Sequence, residues 1–161
     1  MTGDTPSDPV VRDDRIAAIG VLFSTAARLE RALGKSLERE CGMSHVWFEV
    51  LLRLDQAPFS TMTPTQLTEA MVLTSGGVTR LIDRMSEEGL VDRKASASDR
   101  RSTQVSLTPL GRRRLIAAAK VHARNVQTMF TDPLGPRRLT ALLDALVALG
   151  PPEPNVPSAE N

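Results

Sequence analysis

Between Thr74 and Arg114 the chain carries nine basic side chains (Arg80, Arg84, Arg93, Lys94, Arg100, Arg101, Arg112, Arg113 and Arg114) against five acids. Guanidinium groups at this density suit phosphate, and they can also fork onto the O6 and N7 acceptors of guanine. The window has a surplus of four positive charges while the whole chain is only +1, so the flanking segments together carry −3. A basic centre between acidic flanks is the pattern of a module that meets nucleic acid on one surface. Covalent and metal chemistry have no comparable support. The two histidines, His45 and His122, and the single cysteine, Cys41, lack metal-ligand spacing. Ser75-Gly76-Gly77 is followed by Val78-Thr79-Arg80 rather than by the lysine of a phosphate-binding loop. The sequence thus predicts no enzyme, no cofactor and no metal site.

The elements that must hold these arginines are legible from periodicity. The chain has 161 residues, 41% hydrophobic and 24% charged, which suits one globular domain. That domain is expected over 13–150, between disordered tails at 1–12 and 151–161. No apolar run approaches the roughly 18 residues of a membrane span, the N-terminus has no secretory pattern, and one cysteine forms no disulfide framework, so a cytoplasmic location is expected. From Asp13 to Cys41 apolar residues recur every three or four positions, predicting one amphipathic helix of roughly 40 Å. Such a helix is too long for so small a unit unless something lies along it. Gly42 suits its C-terminal cap and Ser44 the N-cap of the next helix, His45–Asp55.

Thr63-Pro64-Thr65-Gln66 forms a capping box with proline at the first helical position, opening a short helix to Met71. A further helix is predicted from Thr74 to about Glu88, with Val78, Leu81, Ile82 and Met85 facing inward and Gly89 ending it. Ser75, Gly76, Thr79, Arg80 and Asp83 then face outward. Arg80 is placed to read a guanine and Arg84, one turn on, to meet phosphate; Asp83 can accept from a cytosine N4, but pairing with Arg80 or Arg84 suits it better. The period then changes to alternation, Thr103, Val105 and Leu107 against Gln104 and Ser106, with a polar tip before it. This predicts a strand–loop–strand hairpin, which after two short helices is a wing. Asp99, Arg100 and Arg101 stand where the hairpin returns, and an arginine there is shaped for a narrow minor groove. Thr108-Pro109 starts another helix to about Phe130, Asp132–Pro136 breaks it, and a last helix runs over 137–149.

The run TSGGVTRLIDRMSEEGLVDRKASASDRRSTQVSLTPLG resembles the MarR family of bacterial transcription regulators. The shared elements are Thr79-Arg80-Leu81-Ile82-Asp83-Arg84-Met85, Gly89-Leu90-Val91-Asp92-Arg93, Asp99-Arg100-Arg101-Ser102 and Leu107-Thr108 with Gly111. The resemblance implies a mainly α fold: a winged helix-turn-helix with a two-stranded β wing over 44–107, and N- and C-terminal helices, 13–41 and 109–149, forming a helical dimerisation region. It implies a homodimer that binds double-stranded DNA, and it maps Ser75, Gly76, Thr79 and Arg80 onto major-groove contacts and Asp99 and Arg101 onto the wing pair; Thr74, Arg84 and Arg100 complete the expected DNA-binding set. Two-fold symmetry then predicts a pseudopalindromic operator with half-site centres about 10 bp apart or a multiple of that.

The resemblance also implies release by a small aromatic or phenolic effector bound between the dimer helices and the winged unit. Phe23, His45, Trp47, Phe48 and Met62 are the candidate lining residues, although aromatics at helical spacing more often fill a core. Two alternatives stay open. One is a thiol-based redox switch through Cys41, where Arg39 would activate the thiol and Glu38 and Glu40 oppose it. The other is a winged-helix module for protein contact, which would need apolar residues on the recognition face.

Overall fold

The computed structural model describes residue 11 and residues 13–71, 75–95 and 103–150. The expected tails, apart from Val11, lie outside the described residues. Among the described residues six α-helices and three strands follow one another as α1 (Asp14–Cys41), α2 (His45–Gln56), β1 (Thr61–Met62), α3 (Pro64–Met71), α4 (Ser75–Glu87), β2 (Val91–Ala95), β3 (Thr103–Leu107), α5 (Pro109–Val126) and α6 (Asp132–Ala148).

The helix ends form where local chemistry requires them. Asp13 accepts the Arg15 backbone N–H at 2.8 Å, and Gly42 closes α1 in the left-handed region at φ 60°. Ser44 accepts from the Trp47 N–H at 3.3 Å. Both bonds of the capping box are present: the Gln66 N–H donates to Thr63 Oγ1 at 3.2 Å, and the Thr63 N–H to Gln66 Oε1 at 2.8 Å.

The core gathers around α2. Val50, Leu51 and Leu54 are fully buried against Leu37 of α1, Leu67 of α3, Val78, Ile82 and Met85 of α4, Val91 and Val105 of the sheet, and Leu115 and Ala118 of α5. Only the C-terminal part of α1 takes part, since Ser36 and Leu37 are its buried residues. The other half of α1 projects past the core and exposes Ile16, Ile19, Val21, Leu22 and Phe23.

Three features differ from the expectation. The wing sheet has three strands in the order β1-β3-β2, because Thr61 and Met62 pair antiparallel with Ser106 and Val105. The two-stranded wing gains this edge strand because the preceding turn, Pro58–Ser60, aims the chain alongside β3. That turn holds Phe59 and Ser60 at positive φ. Secondly, α5 does not end at a break before α6. It passes into a π-helical turn, Gln127–Thr131, and on into α6. The kink sits inside α6 at Gly135, with φ 65° and ψ 169°, within the predicted Asp132–Pro136 segment. Thirdly, Arg112 at the start of α5 pairs with Asp55 of α2 and donates to Ser60 Oγ at 2.7 Å, tying α5 to the strained turn.

Candidate nucleic-acid interface

Two short helices and the sheet present one arginine-bearing surface. The inward residues of α4, Val78, Ile82 and Met85, are fully buried, so the helix is held by one face. Thr79, Arg80 and Arg84 stand exposed on the other, and a shallow cleft is lined by Gly77, Arg80, Leu81 and Arg84. Neither Arg80 nor Arg84 meets an acid among the described residues.

Asp83 does not take either of them as its partner. It pairs with Arg93 of β2 instead. The reason is geometric: the chain leaves α4 through Gly89 at φ 68° and returns β2 alongside the helix, which brings the Arg93 guanidinium to Asp83. The consequence is electrostatic. Asp83 is occupied from the sheet side, and neither Arg80 nor Arg84 is held by it.

The turn from α4 into the sheet is fastened at one point. The Leu90 N–H donates to the Met85 carbonyl at 2.9 Å. The Thr108 hydroxyl donates to the Gly89 carbonyl at 2.7 Å, with the Leu90 carbonyl at 3.1 Å, and accepts from the Gly111 N–H at 2.9 Å. Thr108 therefore caps α5 and holds β2, the end of β3 and the exit of α4 together. Of the remaining DNA-contact positions, Ser75 and Gly76 lie in the first turn of α4. Thr74, Asp99, Arg100 and Arg101 lie outside the described residues.

The candidate effector residues do not converge. Phe48 is in the core, Trp47 and Met62 pack against that core, and Phe23 is 65% exposed on α1. His45 lines a groove, of about 310 Å³, with Ala26, Leu29, Glu30, Leu33, His122, Val126 and Phe130. His122 was not among the candidate lining residues, since nothing in the spacing links it to His45. An adjoining groove of about 410 Å³ is almost wholly apolar, lined by Ala18, Val21, Leu22, Thr25, Ala26, Leu29, Phe130, Leu142 and Leu146. Cys41 is half-buried, and burial together with the charge of Glu40 pushes its thiol pKa up, against the weaker pull of Arg114 and Arg124.

Residues 42–102 match the model of the MarR family, spanning α2 to the wing. AbsC, a MarR family transcriptional regulator from Streptomyces coelicolor, superposes with a TM-score of 0.76 at 28% identity, over 85% of this chain and 92% of that one. The chain thus resembles the MarR family in sequence over its winged unit and in fold over most of its length. Among other MarR relatives, Sco3205 from Streptomyces coelicolor, solved in complex with DNA, has a TM-score of 0.76 at 24% identity, covering 91% of each chain. The transcriptional repressor YetL of Bacillus subtilis is 31% identical over 74 residues, which is 46% of this chain and 44% of that protein. The chain spans about half the length of the curated MarR relatives it matches. Among the described residues no helix is long and apolar enough to cross a membrane.

Proposed function

We propose that this chain is a cytoplasmic transcriptional repressor of the MarR family, not an enzyme, that binds double-stranded DNA as a homodimer and is released by a small aromatic or phenolic effector. The observation that carries the reading is the two-faced α4: one side is locked into the core, and the other offers exposed Thr79, Arg80 and Arg84. The DNA complex of Sco3205, which shares the fold, supports it. The proposed DNA surface is completed by Thr74, Ser75, Gly76, Asp99, Arg100 and Arg101. A thiol switch at Cys41 is disfavoured, because the raised pKa keeps the sulfur protonated and poorly nucleophilic.

Selection from a random duplex library tests the DNA reading. Enriched sequences should show two-fold symmetry with half-site centres about 10 bp apart or a multiple of that, and an unenriched pool would remove it. Arg84→Ala should weaken binding about equally for all sequences and lower the slope of log K against log salt by about 1.

The dimer reading rests on exposed apolar surface. Ile16, Val21, Phe23, Leu143 and Val147 are all more than a third exposed on α1 and α6, and the apolar groove runs between those helices. A contiguous patch of this kind marks an interface, and a second copy laying its own α1 and α6 there would bury it. Leu22→Glu should yield monomers in sedimentation with helical content intact, since Leu22 is outside the core. A variant that stays dimeric would place the interface elsewhere.

A further inference from the structure

We propose that His45 and His122 form a proton-sensitive joint between α1, α2 and α5, held closed while the His122 imidazole is neutral and loosened when that ring takes up a proton. The two rings lie with centroids 5.9 Å apart, and His122 also packs on Phe48 at 4.8 Å with an interplanar angle of 38°. The Nδ1 atom of His122 is buried with no hydrogen-bond partner. In the neutral ring this nitrogen can remain an unprotonated acceptor, which is a modest loss. In the imidazolium it must be an N–H donor, and a buried donor with no acceptor is far more costly.

The surroundings decide which way the proton equilibrium is pushed. The ionisable groups lining the groove are His45 from α2 and Glu30 from α1, and α5 contributes only His122. Glu30 is exposed at the rim and so is screened. Phe48 can attract a cation weakly through its face. Against these, burial comes first and the neighbouring His45 second, and together they lower the His122 pKa from its ordinary 6.5. If a second copy covers the adjoining groove, which shares Ala26, Leu29 and Phe130 with this one, burial only deepens.

The sign follows from linkage. A histidine whose folded pKa lies below its unfolded value binds fewer protons in the folded state, so stability rises with pH through this window. The contribution is intact above about 6.5 and is lost progressively as pH falls below it. The position makes the loss matter. The core face of α2 supports α3, α4 and the sheet, whereas α5 packs along α1 and continues into α6. The joint therefore lies between the arginine-bearing unit and the helices of the proposed dimer, and loosening it frees one from the other. That last step alone rests on the proposed DNA function.

The chain has only two histidines, so NMR of histidine-labelled full-length protein resolves both, with His45→Gln assigning them. His122 should titrate below 6.5, and its midpoint should move up in His45→Gln. Titration at or above 6.5, or a midpoint unmoved by His45→Gln, overturns the proposal. Melting between about pH 7.5 and about pH 5.5, above the carboxylate range, should show a falling Tm that His122→Phe largely flattens. An equal fall in that variant also overturns it. Should His122→Phe not fold, the NMR titration decides alone. With a selected duplex, affinity should drop on acidification in the parent and much less in His122→Phe. Absence of DNA binding at every pH would defeat the DNA reading and leave the titration and melting results standing. Equal acid loss in both proteins would refute the coupling.

Discussion

Gly111→Ala is expected to destabilise the fold by about 2–4 kcal/mol, through overpacking at a site that cannot yield and partial loss of hydrogen bonds around it. A Cβ at this position would lie 2.1 Å from the Leu90 carbonyl oxygen, 3.0 Å from its carbonyl carbon and 3.0 Å from Leu107 Cδ1. Two of these are backbone atoms, so no rotamer change relieves them. The start of α5 would have to withdraw from β2, and the Thr108 hydroxyl holds it there through Gly89, Leu90 and the Gly111 N–H. Intrinsic propensity points the other way, because alanine is about 1 kcal/mol better than glycine inside a helix. The sign of the change therefore separates crowding from propensity. Gly20 in α1 has nothing within 4 Å of such a Cβ, so the penalty belongs to this close approach and not to helical glycines in general. Urea unfolding should show a lower midpoint with an unchanged slope. A midpoint equal to or above the parent's would mean that the α5–β2 junction shifts freely.

The elements that were readable in advance are those whose signals lie within a few residues. The Thr63–Gln66 box, the Thr108-Pro109 start and the glycines at 42 and 89 each satisfy a local backbone need, so the sequence alone places them. The apolar spacing Val78, Ile82, Met85 likewise set the buried face of α4, and with it the exposure of Thr79, Arg80 and Arg84. What escaped depends on contacts distant in sequence or on runs too short to show a period. Strand β1 is two residues long, and two residues carry no alternation. Asp83 had two arginines within helical reach, yet the chain reversal at Gly89 supplied a third, Arg93. His45 and His122 meet only because α2 and α5 pack side by side. Aromatic composition, used as the guide to an effector pocket, pointed instead to Phe48 and Trp47, whose bulk the core needed.

Arg80→Ala is expected to weaken binding to a selected operator by about 1–3 kcal/mol, or roughly 5- to 150-fold, and to relax sequence preference at one base pair of each half-site. The expectation follows from the site's electrostatics. Arg80 lies in the second turn of the proposed recognition helix, exposed, and opposite the side locked into the core. Asp83, one turn away, would neutralise it in an isolated helix. Here Arg93 engages Asp83, leaving the Arg80 guanidinium available as a fork for guanine. Arg80→Lys keeps the charge but loses the fork, so it should recover part of the non-specific affinity and little of the base preference. Folding stability should change by no more than about 0.5 kcal/mol, because the side chain is on the surface. Anisotropy titrations against duplexes altered one base pair at a time distinguish the two arginines. For Arg84→Ala the affinities should fall in parallel across the set, whereas for Arg80→Ala one position should cease to matter. If Arg80→Ala instead lowers every duplex equally, Arg80 is a phosphate contact, and base reading must come from elsewhere on α4 or from the wing.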